Sequence, residues 1–148
     1  MVAHPKVTAV IPAYNMAAYV ERALVSAIGQ TYPNLDILVI DDGSSDETAS
    51  IARRIAGEHP HVRVVTTDNA GVAAARNLGT QMADSLYVAY LDADDLWHPL
   101  KIEKQVEALG AHGHSPEWSS CYTLHRMIDR FDTVIDDAPS SHERGDFF

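Results

Sequence analysis

The sequence predicts an α/β fold, a mostly parallel sheet with helices on both faces, followed by a short antiparallel segment. Three observations lead there. Short β-branched and aliphatic runs alternate with segments whose apolar residues recur at helical spacing, from the start of the chain to about residue 110. Strands interleaved with helices make parallel pairs whose crossovers cover the sheet. The chain has 148 residues, 46% of them hydrophobic, and no low-complexity tract, enough for one buried core.

Each element has its own justification. Val7-Thr8-Ala9-Val10-Ile11 reads as a strand stopped by Pro12, and Val20, Leu24, Ala27 and Ile28 then fall on one face of a helix. Asp36 to Ile40 makes a second strand. In the loop Asp41-Asp42-Gly43-Ser44-Ser45-Asp46-Glu47, Ser44 and Glu47 have capping-box spacing for a helix carrying Ile51 and Ile55. Val62 to Thr66 is a third strand, and Asn69-Ala70-Gly71 turns the chain into an alanine-rich helix ending near Met82. Leu86 to Leu91 is the fourth strand. Pro99 then suits the first turn of a helix with Ile102, Val106 and Leu109 on one face. Beyond Gly110 the texture changes: a loop holding His112 and His114, then Cys121 to Arg126 and Thr133 to Ile135 as two antiparallel strands around a turn near Asp129 to Asp132. Residues 1–110 and 111–148 are therefore expected to be two parts of one architecture.

A net charge of −10 argues against a general nucleic-acid or anionic-membrane binder, because those partners need a basic surface. The single cysteine, Cys121, excludes an internal disulfide framework and reads as a small buried apolar residue. Val7 to Ala13 is too short to span a bilayer and lacks a signal-peptide arrangement, so no transmembrane segment is expected. The expected location is the cytoplasm, with the inner face of the membrane as an alternative site of action.

Asp92-Ala93-Asp94-Asp95 directly follows the fourth strand. Three acids within four residues repel one another, and burying one unpaired is costly, so a positive partner is expected. Oxygen-only ligands select a hard ion, Mn2+ or Mg2+, which takes its remaining ligands from water and substrate phosphate. The plainer alternative is that Asp92 ends the strand while Asp94 or Asp95 caps the next helix. The other strand ends add compatible chemistry. Pro12-Ala13-Tyr14 offers a turn with an aromatic able to stack on a base, Asp42 an acceptor for an imide N–H, and Asn69 with Arg76 a polar and cationic edge. In an open parallel sheet the carboxyl ends of the strands form the ligand crevice. Together these groups describe a nucleoside-diphosphate site. Taken singly each has a bland reading: Tyr14 as a packed rim aromatic, Asp42 in a simple turn, Arg76 as an ion-paired helix residue, Trp97 as a core anchor, and His112 and His114 as exposed loop residues.

Val10-Ile11-Pro12-Ala13-Tyr14-Asn15, Gln30-Thr31-Tyr32-Pro33-Asn34, Val39 to Asp46, Asn69 to Asn77 and Leu91 to Trp97, in that order, resemble the motif set of family 2 glycosyltransferases. The resemblance covers about residues 5–109. It implies a Rossmann-like, glycosyltransferase-A type fold and an inverting enzyme that uses a nucleotide-diphosphate sugar donor, UDP-linked by expectation, on a saccharide or other hydroxyl acceptor. By motif position it implies that Pro12, Ala13 and Tyr14 line the nucleoside pocket, Asp42 holds the base with Arg76 beside it, and Asn69 borders it. Asp92 then faces the ribose or the metal, Ala93 belongs to the nucleotide site, and Asp94, with Asp92, is placed toward the metal. The family's catalytic base is a carboxylate well downstream, and none of Asp129, Asp132, Asp136, Asp137, Glu143 and Asp146 stands in a matching context. The base is therefore expected beyond the chain end, in the acceptor-side half that 111–148 begins, and exposed apolar surface there is expected to meet its missing half or a second copy as a homodimer.

The competing readings are a nucleotide-binding module without transferase activity and a phosphatase-like hydrolase with Asp-x-Asp after a strand. The latter requires a downstream lysine and acid pair, and the only later lysines, Lys101 and Lys104, lie on the next helix. No G-x-G-x-x-G follows the first strand, which removes support for a dinucleotide oxidoreductase.

Overall fold

The computed structural model describes residues 4–111, 120–123, 125–129, 131 and 133–136. They fall into two compact units, Met1–Lys104 and Gln105–Phe148. The first unit holds a four-stranded sheet, β1 (Val7–Ala13), β2 (Leu35–Asp41), β3 (Val62–Thr66) and β4 (Tyr87–Tyr90), in the order β3-β2-β1-β4. Every pairing is parallel, with Val7 opposite both Leu35 and Tyr87, and Asp41 opposite Thr66.

Helices α1 (Val20–Ile28), α2 (Thr48–Ala56) and α3 (Val72–Met82) are the crossovers. The strand order fixes where they go. From β1 to β3 the chain steps outward in one direction; from β3 it returns past β2 and β1 to add β4 on the far side. Right-handed crossovers then put α1 and α2 on one face and α3 on the other. Accordingly Ala75 of α3 packs with Val10, Leu38 and Ile40, joined by Leu78 and Met82. Ala23, Leu24 and Ala27 of α1 are fully buried. With both faces covered, β1 is buried along its whole length, which accounts for its continuous apolar sequence.

Gly79 shows how closely α3 lies on the sheet. A Cβ there would sit 2.3 Å from Val10 Cγ1, so only glycine permits this approach. The reversal of strand order between β1 and β4 puts the topological switch point, where ligands of open parallel sheets bind, at their carboxyl ends.

Several elements differ from the sequence expectation for identifiable reasons. Helix α4 (Lys101–Ala111) starts after Pro99, because the Gln30 side chain takes the Ile102 amide and the Pro99 carbonyl is occupied by Thr31 N–H. Trp97 is buried, 8% exposed, and its backbone N–H donates to Ser26 Oγ, so it anchors the segment before α4.

In the second unit the hairpin forms from β5 (Met127–Ile128) and β6 (Val134–Asp136). Its first strand falls later than Cys121 to Arg126, because Asp129 Oδ1 accepts from the amides of Phe131 and Thr133 and sets the turn there. Cys121 is only partly buried, contrary to expectation, since its segment belongs to no strand. His112, His114, Asp132, Asp137, Glu143 and Asp146 lie outside the described residues. Among the described residues no helix is long and apolar enough to cross a membrane.

Candidate functional site

The carboxyl ends of the four strands carry the residues of interest. Adjacent strand positions face opposite sides of a sheet, so Asp41 and Asp42 diverge. Asp42 continues the ladder through its N–H to the Ala13 carbonyl at 2.9 Å and turns its carboxylate toward the start of α3. There Oδ1 accepts from Ala70 N–H and Oδ2 from Gly71 N–H, both at 2.8 Å, while Asn69 Nδ2 donates to the Asp42 carbonyl at 3.1 Å. An anion against the first amides of a helix meets both unsatisfied donors and the positive end of the dipole. Gly43, at φ 71°, makes the turn that follows; a Cβ on it would lie 2.9 Å from the Asn69 amide nitrogen.

This geometry refines the expectation for Asp42. It is 3% exposed, and each of its oxygens already holds one backbone amide. Any contact with a base therefore falls to remaining lone pairs and to the exposed Asn69 side chain that brackets it. Pro12, Ala13 and Ala93 are buried as well, Ala13 at 3% and Ala93 at 2%, so they offer little side-chain surface to a ligand. Tyr14 at the end of β1 is 48% exposed, leaving its ring accessible.

The loop carrying Tyr14 is fastened in part by Ser44, whose spacing to Glu47 predicted a capping box. Ser44 Oγ accepts from Asn15 N–H at 3.0 Å, and Asn15 Oδ1 accepts from Ser45 N–H at 2.9 Å, with Asn15 itself at φ 53°. Thr48 Oγ1 accepts from Met16 N–H at 2.7 Å. Asp46 accepts from Ala17 N–H at 3.0 Å and Thr48 N–H at 2.9 Å, and its Oδ1 also takes the Thr48 hydroxyl. The Thr48 hydroxyl bond, aided by these backbone amides, holds the Asp46 carboxyl below its ordinary pKa. Glu47, the residue before α2, makes no side-chain cap bond, so the capping-box expectation is corrected: Asp46 satisfies the helix start and Ser44 serves the neighbouring loop. An Asp two residues before a Thr at a helix start was the available signal.

After β4, Asp92 and Asp94 behave differently. Arg76 Nη2 donates to Asp92 Oδ1 at 2.5 Å, with the side chains 38% and 46% exposed. Arg76 Nε is buried and has no hydrogen-bond partner among the described residues. Asp94 is exposed, and no bond of its carboxylate is seen among the described residues. No three His, Cys, Asp or Glu side chains among the described residues are grouped so as to hold a metal between them. A hard cation here would thus draw one or two carboxylate ligands from the protein and the rest from water or phosphate, the usual arrangement for Mg2+. Of the two, only Asp94 has no bond to its carboxylate among the described residues, since one oxygen of Asp92 is committed to Arg76.

Comparison with known proteins decides the family. The family model described as "Glycosyl transferase family 2" matches residues 8–132. The chain belongs to that family. It is 34% identical over 131 residues to a chondroitin synthase of Escherichia coli, spanning 88% of this chain and 19% of that protein. It is 37% identical over 99 residues to a hyaluronan synthase of Pasteurella multocida, spanning 67% of this chain and 10% of that one. Among solved structures, a mannosyltransferase from Pyrobaculum calidifontis in complex with GDP-Man and Mn2+ superposes with a TM-score of 0.70 at 33% identity, covering 78% of this chain and 34% of that chain. Staphylococcus aureus TarS, at 24% identity and a TM-score of 0.68 over 73% of this chain and 32% of that one, shares the fold. The fold is thus of the glycosyltransferase-A type. The family 2 chain spans only 10% to 41% of the length of the curated relatives it matches.

Proposed function

We propose that this chain is the donor-binding part of a metal-dependent, inverting glycosyltransferase that uses a nucleotide-diphosphate sugar, UDP-linked, to glycosylate an acceptor hydroxyl. The observation that carries the reading is the convergence at neighbouring strand ends of an exposed aromatic (Tyr14), an Asp42–Asn69 polar corner, the Arg76–Asp92 pair and the uncommitted carboxylate of Asp94. The 33% identical mannosyltransferase, solved with GDP-Man and Mn2+, supports nucleotide-sugar and divalent-metal use.

In this reading Tyr14 stacks on the base in a pocket lined by Pro12 and Ala13, and Asp42 with Asn69 faces its polar edge. Arg76 and Asp92 flank the ribose and diphosphate, Ala93 seats the turn between the two acids, and Asp94, with Asp92 as second ligand, holds Mn2+ or Mg2+. The bound cation supplies Lewis-acid neutralisation of charge on the leaving diphosphate. The acceptor oxygen attacks the anomeric carbon from the side opposite that group. The bond to diphosphate breaks, configuration inverts, and a base within hydrogen-bond reach takes the acceptor's proton. Residues 1–110 form the donor half and 111–148 begin the acceptor side. Asp129 is a poor candidate for the base, since its Oδ1 already accepts from two amides of the hairpin turn. The acceptor is a saccharide or other hydroxyl compound, and the site of action is the cytoplasm or the inner face of the membrane.

Incubating the protein with a panel of UDP- and GDP-linked sugars in Mn2+ and measuring free sugar released by slow hydrolysis tests the reading. Turnover or binding confined to UDP-sugars is expected. Equal indifference to every nucleotide sugar would overturn it, and preference for GDP-sugars would correct the base.

A further inference from the structure

The Arg76–Asp92 pair raises a question that donor binding alone does not answer. Asp92 lies two residues from Asp94, yet its Oδ1 is engaged by a guanidinium that is itself incompletely satisfied, since Arg76 Nε is buried without a partner among the described residues. Arg76 is held in place from behind: its backbone lies between the buried Ala75 and the Gly79 contact with Val10, and Thr80 Oγ1 donates to its carbonyl at 2.8 Å. The side chains of the pair are 38% and 46% exposed, so water and ligands reach them. An exposed pair of this kind is weak and exchanges readily.

We propose that Arg76 is a built-in competitor for the metal. By neutralising Asp92 it weakens the site's hold on a divalent cation alone, so that cation and nucleoside diphosphate bind as a coupled pair. The inference rests on the donor-site reading above and adds to it how binding is ordered. Without ligand, the protein offers the cation one uncommitted carboxylate, Asp94, and a neighbouring positive charge. A diphosphate changes both terms. It brings its own oxygens to the cation, and as a multidentate anion it gives the guanidinium a better partner than one carboxylate oxygen. Arg76 then transfers from Asp92 to the phosphate, and Asp92 is released to the metal.

The size of the effect follows from Coulomb's law. A unit positive charge about 6 Å from a divalent cation, in surroundings close to bulk water, weakens its binding roughly tenfold.

Mn2+ binding without nucleotide, read from the electron paramagnetic resonance signal of the free ion, tests this directly. Arg76→Gln is expected to bind Mn2+ alone roughly tenfold more tightly than wild type by the Coulomb estimate. Arg76→Gln/Asp92→Asn is expected to lose that gain, and Arg76→Lys, which keeps the charge, to stay near wild type. Asp92→Asn by itself leaves the Arg76 charge uncompensated beside Asp94 and is expected to weaken Mn2+-alone binding, by at most about tenfold on the same estimate. UDP is expected to tighten Mn2+ binding in wild type and to do so less in Arg76→Gln. Unchanged or weaker Mn2+-alone binding in Arg76→Gln would overturn the proposal. So would Mn2+-alone binding in Asp92→Asn that is tighter than in wild type, an outcome readable even if Arg76→Gln does not fold. Failure of the donor-site reading looks different: UDP would then bind no variant at any metal concentration, whatever Mn2+ does alone.

Discussion

Replacing Asp42 is the substitution whose consequence the structure specifies most fully. Its buried carboxylate joins the end of β2 to the start of α3 by accepting hydrogen bonds of 2.8 Å from two backbone amides, across 28 and 29 residues of sequence. Asp42→Ala deletes both acceptors. A hydrogen bond to a charged group contributes about 1.5–3 kcal/mol, but Ala70 and Gly71 are exposed, so water recovers part of what is lost. The expected cost is about 2–3 kcal/mol, well beyond the ±0.5 kcal/mol typical of surface substitutions. Asp42→Asn keeps one acceptor and turns an NH2 against the other amide, so it should fall between wild type and alanine. In urea, with a slope of about 1–2 kcal/mol/M for a protein of this size, the Asp42→Ala midpoint should drop by roughly 1–3 M. Nucleotide binding should weaken in the same variant, because α3 carries Arg76. A loss of less than about 0.5 kcal/mol, with nucleotide affinity intact, would refute the idea that Asp42 ties the two segments together.

Three further outcomes follow from other parts of the molecule. Gly79→Ala drives a methyl into Val10 and should destabilise the protein by about 1–3 kcal/mol in the same urea assay, whereas an unstrained helix glycine would gain stability from that change. Tyr14→Ala removes the exposed ring at the end of β1 and should weaken nucleotide binding by about 1–2 kcal/mol, or five- to thirty-fold, in titration calorimetry, with melting temperature unchanged. The Asp46 clamp should be sensitive to acid. Its carboxyl is held below its ordinary value of 3.8 by the Thr48 hydroxyl, so the stabilisation is complete above that value and is lost as pH falls through the lower folded-state value. The Ala17 amide resonance should move over that acid range in wild type and stay fixed in Asp46→Asn.

Much of the fold was legible because both of its periodicities are local. Val62 to Thr66 matches β3 in full, and Val20, Leu24 and Ala27 are buried on α1 as their spacing predicted. The sites of disagreement involve partners distant in sequence. Ser44 looked like the first half of a capping box, yet its hydroxyl serves Asn15, 29 residues away. Gln30 sets the start of α4 from 72 residues upstream. The candidate site divides along the same line. Which residues stand at strand ends could be read from the sequence, because a strand announces where it stops. Their present engagements could not: the Asp42 carboxylate on the α3 amides and Arg76 on Asp92 depend on the crossover that brings α3 back over β1. Gly79 gave no signal of its own, since a glycine inside a helix reads equally as a tolerated defect or as a close packing contact.

The central claim is that these strand ends grip a nucleoside diphosphate through a cation held by Asp94. Titration calorimetry with UDP, with and without Mn2+, on wild type and Asp94→Asn tests it most directly. Wild type should bind UDP markedly more tightly with the metal, and Asp94→Asn should bind it equally weakly in both conditions. Identical metal responses in the two proteins would contradict the assignment.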